Sequence, residues 1–139
     1  MKPQLEKELL IKYPKLFRQH GLSPQETCMC WGIECGDGWF TLLNTLCHLI
    51  RHHVDWKQKK DPEFNVEFSQ IKEKFGTLRV YANGIDSYVE GLIAMAEAMS
   101  SNICERCGNP GKVRNRGWIQ TLCDGCEEAN RKEVPSNDD

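Results

Sequence analysis

Hydrophobic positions recur at helical spacing through residues 4–20, where Leu5, Leu9, Leu10, Tyr13, Leu16 and Phe17 alternate with lysines and glutamates. This pattern predicts a short amphipathic helix, which Pro14 should kink or split. Residues 20–39, HGLSPQETCMCWGIECGDGW, keep no period and read as a structured loop crossing the core. A stronger stripe follows in Trp39, Leu42, Leu43, Leu46, Ile50, His53 and Val54, which predicts the central helix. Asp37 stands where a cap for its first turn is expected, and Trp39 reads as a core anchor.

Pro62 ends helical structure, and the pattern then changes to alternation. Phe64, Val66 and Phe68, then Leu78, Val80 and Ala82, flank a turn at Gly76 and predict a β-hairpin with one buried face. In residues 86–101, Ser87 followed by Glu90 has the form of a reciprocal helix cap, and Val89, Leu92, Ile93, Ala96 and Met99 continue at helical spacing. The expected class is α+β: helices packed on a β-hairpin over residues 1–101, a small unit at 102–133, and a disordered tail at 134–139.

Composition narrows this picture. The 139 residues are 40% hydrophobic, enough for one compact domain with an appendage. A formal net charge of -2 gives no overall basic field, so contact with nucleic acid would need a local patch. The N-terminal segment MKPQLEKELLIKYPK is charged throughout and lacks the apolar stretch of a signal peptide, so a reducing cytoplasm is expected. The longest uncharged hydrophobic run, residues 38–50, falls short of the ~20 residues that span a bilayer, and no membrane partner is expected.

In that compartment, cysteine spacing carries the chemistry. Cys104/Cys107 and Cys123/Cys126 form two Cys-x-x-Cys steps separated by residues 108–122. Each step brings two sulfurs to one metal from a tight turn, and the longer gap lets the second step fold back, so one structural zinc ion is expected. A knuckle, a strand pair and a helix beginning at the second step would describe a treble-clef or zinc-ribbon-like unit. Four thiolates close the coordination sphere, whereas a catalytic zinc keeps one position for water.

Cys28, Cys30, Cys35 and Cys47 with His48 and His52 are a second conceivable group, but their spacing is irregular and small buried thiols are the simpler reading. No nucleophile motif surrounds any cysteine, and no phosphate loop, dinucleotide fingerprint or paired-carboxylate pattern occurs. An enzyme is therefore not expected. Arg114, Arg116 and Trp118 combine charge and an aromatic face on the loop between the cysteine pairs, as a nucleic-acid contact would. Residues 104–132 hold six cations against four acids, a charge that four thiolates on a divalent ion would cancel.

The segments ECGDGW (34–39), QIKEKFGTLRVYANG (70–84), AEAMS (96–100) and CERCGNPGKVRNRGWIQTLCDGC (104–126) resemble a family of short, mostly uncharacterised bacteriophage and prophage proteins. The likeness covers about residues 30–126 and implies metal ligation by Cys104, Cys107, Cys123 and Cys126. It also implies action in the bacterial cytoplasm, where small proteins of this origin bind and redirect host components such as defence or transcription machinery. The expected task is binding of a host or phage protein. The second reading is a nucleic-acid-binding accessory or regulatory factor that uses Arg114, Arg116 and Trp118.

Overall fold

A computed structural model describes residues 1–133, and the tail 134–139, expected to be disordered, lies outside the described residues. Helix α1 spans Pro3–Lys12, with proline in its first turn, where a missing N–H is harmless. It stops just before Pro14, because the residue preceding a proline is driven out of helical geometry. Tyr13, Leu16 and Phe17 remain buried, but on the irregular turn that follows.

The aperiodic segment 20–39 is built from short 3-10 turns and strand β1, Ile33–Glu34. The strand was not expected, since two residues leave no alternation to read. It pairs in parallel with β2, Glu67–Lys74, placing Ile33 beside Ile71 and Glu34 beside Lys72. β2 then pairs antiparallel with β3, Thr77–Asn83, through the Phe75-Gly76 turn, so the expected hairpin and its turn form, but β2 starts only at Glu67 and the expected positions Phe64 and Val66 precede it. A register shift between Phe68 and Gln70 lets Phe68 and Ile71, three residues apart, both face inward.

Helix α2, Phe40–Lys57, buries Leu42, Leu43, Leu46, Cys47, Ile50 and Val54. Helix α3, Ser87–Ser100, runs beside the outer edge of β3, where Ser100 Oγ accepts from Leu78 N–H at 2.9 Å and Glu97 Oε2 accepts from Val80 N–H at 3.1 Å. The edge that could otherwise pair with another chain is thereby covered. Phe68, Ile71, Leu78 and Val80 meet Leu43, Ile50, Val89 and Ile93 in one core, with Trp39 fully buried as the expected anchor.

Both expected caps are corrected by one or two positions. Asp37 belongs to a 3-10 turn ahead of α2, and its Oδ1 accepts the Lys2 N–H at 2.7 Å, so it secures the start of α1 instead. Asp86, not Ser87, caps α3, accepting from Val89 N–H at 3.0 Å, while Ser87 is already the first helical residue. Asp86 Oδ2 also accepts from His53 Nε2 at 2.7 Å and Lys57 Nζ at 2.8 Å, which ties α3 to α2.

Burial alone would raise the Asp86 carboxyl, but hydrogen bonds from Lys57, His53 and the Val89 amide outweigh it and hold the group well below the usual carboxylate range. A pKa depressed by folding contributes stability that is present above the unfolded value and lost as pH falls through the folded one. Asp86→Ala is therefore expected to cost about 2 kcal/mol at neutral pH, and the deficit should shrink steadily below about pH 4. Urea titrations of parent and variant at several pH values measure both.

Candidate metal centre

After α3 the chain turns through a knuckle. Cys104 N–H donates to Asn109 O at 2.8 Å and Gly108 N–H returns to Cys104 O at 2.9 Å, with Gly108 at φ +84°. Strands β4, Lys112–Asn115, and β5, Ile119–Leu122, pair antiparallel and deliver Cys123 at the end of β5. Helix α4, Asp124–Glu133, starts at once and carries Cys126 in its first turn, where the Cys126 N–H points at Cys123 Sγ from 3.4 Å.

The four Sγ atoms of Cys104, Cys107, Cys123 and Cys126 lie within 4.8 Å of one another, so these residues could hold a metal ion. The Cys107–Cys123 sulfur separation is 3.6 Å. A tetrahedral ion with metal–sulfur bonds of about 2.3 Å requires sulfur–sulfur edges of about 3.8 Å, so only small adjustments of rotamer separate this arrangement from a closed site. Among the described residues, no other set of three or more cysteine, histidine or acidic side chains converges in this way.

The protonation pattern fits a site that wants a cation. Burial raises the Cys104 thiol, but the backbone amides of Cys123, Cys107 and Arg106 outweigh it and bring it down to about 7. Cys126 is pushed up to about 12, first by burial and then by its neighbouring sulfurs. One thiolate is favoured and the next is opposed, which is the balance expected when four sulfurs share a small volume without compensating charge.

The unit is keyed into the core by two glycine-bearing segments. Glu105, inside the knuckle, accepts at its backbone O from Gly38 N–H at 2.7 Å and at Oε2 from Gly36 N–H at 3.1 Å. Its own N–H donates to Thr121 O at 3.0 Å. Trp39 Nε1 donates to Ile103 O at 2.8 Å, and buried Thr121 donates from Oγ1 to Gly76 O at 2.6 Å. A Cβ on Gly38 would lie 2.0 Å from Cys104 O, and one on Gly36 would lie 2.4 Å from Glu105 O. The ECGDGW and KEKFGTLR segments thus share a physical role, which is to let backbone approach backbone at the four-cysteine unit.

Sequence reasoning missed Glu105 and Thr121 as docking residues. The only signal was the Gly36-x-Gly38 spacing, which reads equally as a simple turn.

The basic loop is largely tied down. Arg114 donates to Leu122 O and, at 2.8 Å, to Asp124 Oδ1, while Arg116 Nε lies 2.6 Å from Glu127 Oε1. Trp118 is 72% exposed. The other thiols and histidines do not meet. Cys35 and Cys47 are buried, burial pushes the Cys35 thiol up to about 12 and raises Cys47 further, and His48 and His52 stand on the solvent side of α2.

Comparison with protein-family models, with curated proteins and with solved structures returned no match. Among the described residues, no helix is long and apolar enough to cross a membrane.

Proposed function

We propose that this chain is a non-enzymatic zinc-binding protein in which a treble-clef-like scaffold, closed by Cys104, Cys107, Cys123 and Cys126, braces a surface that binds another protein. The observation that carries this reading is an apolar groove of about 550 Å³ between α2, α3 and the knuckle. Phe40, Leu49, Leu92, Met95 and Met99 line it, Asp37 is its one charged lining residue, and Met95 is 63% exposed. Flexible methionines suit a surface that receives the apolar face of a partner helix.

The resemblance to phage proteins supports a host or phage protein as the partner, met in the bacterial cytoplasm, with redirection or inhibition of defence or transcription machinery as the outcome. The ion pairs of Arg114 and Arg116 favour this reading over nucleic-acid contact through the same loop. Met95→Glu combined with Met99→Glu is expected to reduce capture of the protein partner from bacterial lysate by at least about tenfold, since each buries a carboxylate in the contact. Arg116→Ala should leave capture intact. Equal capture by the parent and the double methionine variant, with metal content and melting unchanged, would remove the groove from the account.

A further inference from the structure

We propose that the outward face of the β2–β3 hairpin, continued by Phe75 and Trp118, is a platform for single-stranded nucleic acid, separate from the groove assigned above to a protein. Lys72 and Arg79 are register partners, as are Lys74 with Thr77 and Gln70 with Tyr81, and all lie on the side opposite Ile71, Leu78 and Val80 in the core. Among the described residues, Lys72, Lys74 and Arg79 form no ion pair, in contrast to Arg114 and Arg116. The acids on this face are Glu34, beside Lys72 on β1, and Glu67, opposite Asn83 and already paired with Arg18 at 3.6 Å, so Lys72, Lys74 and Arg79 face one carboxylate that has no ion pair among the described residues. Glu73, opposite Leu78 in the register, accepts from the Gly76 N–H at 3.3 Å and also lines the recess of Phe75 and Trp118, where its carboxylate offsets part of the charge of Lys74.

Aromatic rings complete the platform. Tyr81 is exposed, and Phe75 and Trp118 line one recess with Lys74, Glu73 and Ile119 at the joined tips of the two hairpins. Phe75 stands at φ +53° followed by Gly76 at φ +82°, the pair of left-handed residues of a type I′ turn. Asparagine, aspartate or glycine suits the first of these positions, and a bulky ring there is disfavoured. Because Phe75 is 67% exposed, burial in this chain does not offset that strain. A strained, displayed ring beside a second displayed ring and unpaired cations matches what unpaired bases and their phosphates require: flat apolar faces for stacking and positive charge along the backbone. A duplex hides its base faces and would gain only the charge.

Fluorescence anisotropy tests this with the full chain, a labelled fifteen-nucleotide oligo-dT, the matching oligo-U and a blunt duplex of equal length. Both single strands are expected to bind more tightly than the duplex. With about three phosphates neutralised, the log–log salt slope should be about -2.1, which weakens binding about 18-fold between 50 and 200 mM salt. Reversing all three cations (Lys72→Glu, Lys74→Glu, Arg79→Glu) should weaken it at least about tenfold. Trp118→Ala and Phe75→Asn should each weaken it about fivefold, and Phe75→Asn should melt no lower than the parent. Arg116→Ala should bind as the parent does.

Absence of an anisotropy change at 100 µM protein in 50 mM salt would overturn the proposal. So would parent-like binding by the charge-reversed variant with its metal content intact, or equal affinity for duplex and single strand. Competition by polyglutamate as effective as that by unlabelled oligonucleotide would also overturn it, in favour of an acidic protein segment. Loss of methionine-dependent protein capture would leave these measurements unchanged, so the two readings fail separately.

Discussion

Cys104→Ser is expected to release the metal and unfold residues 102–133, the largest effect of any single substitution in this chain. Within that unit the fully buried apolar side chains are few, chiefly Leu122 and Cys104 itself, so burial of hydrophobic surface does little to hold it. A structural zinc site contributes about 10–16 kcal/mol of apparent folding free energy, as much as the whole stability of an ordinary domain. Hydrogen exchange should show the amides of β4, β5 and α4 losing protection in the variant. The α2 and α3 amides that face the core should keep theirs, because Leu43, Ile50, Val89 and Ile93 pack without help from the metal unit. Removal of metal from the parent with a chelator should reproduce the same pattern.

The second large effect is expected at a glycine. In Gly38→Ala the new methyl would meet Cys104 O at 2.0 Å and Gly108 N at 2.6 Å, and both are backbone atoms of the knuckle that cannot rotate aside. Either the knuckle shifts off the core or the segment before α2 does. In both cases the bond from Gly38 N–H to Glu105 O is strained, and the bond from Trp39 Nε1 to Ile103 O is put at risk. A cost of about 3 kcal/mol or more follows, at the upper end for overpacking. Metal release to a chromogenic chelator should also be faster, because the first cysteine pair loses its support. Gly91→Ala is the matched control: nothing lies within 4 Å of its Cβ position on α3, and the helix should gain about 0.5–1 kcal/mol. Thermal melts of the two variants should move in opposite directions.

The long periodic segments were legible from residue order alone. The stripes of α2 and α3 repeat often enough to exclude other periods and both helices form where expected, and Leu78, Val80 and Ala82 fall on β3; Phe64 and Val66 precede β2, whose inward positions are reset by the register shift after Phe68. The cysteine spacing was legible because two sulfurs on a tight turn have little freedom, and all four converge. What was not legible depends on partners far away in sequence. Asp37 and Ser87 look like caps by position, but whether a carboxylate or hydroxyl caps a given turn depends on where the first helical residue falls, and the 3-10 turn at 37–39 displaces it. β1 exists because Ile33 and Glu34 find a place beside Ile71 and Lys72, not because two residues prefer to be extended.

The division into a core at 1–101 and a four-cysteine unit at 102–133 follows from cysteine spacing and local pattern. Neither registers Glu105 and Thr121 reaching back to Gly36, Gly38 and Gly76. Arg114 and Arg116 looked like a patch in the linear sequence. In three dimensions their partners are Asp124 and Glu127 on α4, whereas Lys72, Lys74 and Arg79, which form no ion pair among the described residues, share the outward face of the β2–β3 sheet.

Metal content measured by inductively coupled plasma mass spectrometry, on protein purified without chelators or added metal, is the most direct test of the scaffold. The four convergent sulfurs predict one equivalent of zinc per chain, reduced to background in Cys104→Ser. Well-folded parent protein carrying less than a fifth of an equivalent of zinc or any other transition metal would contradict the account.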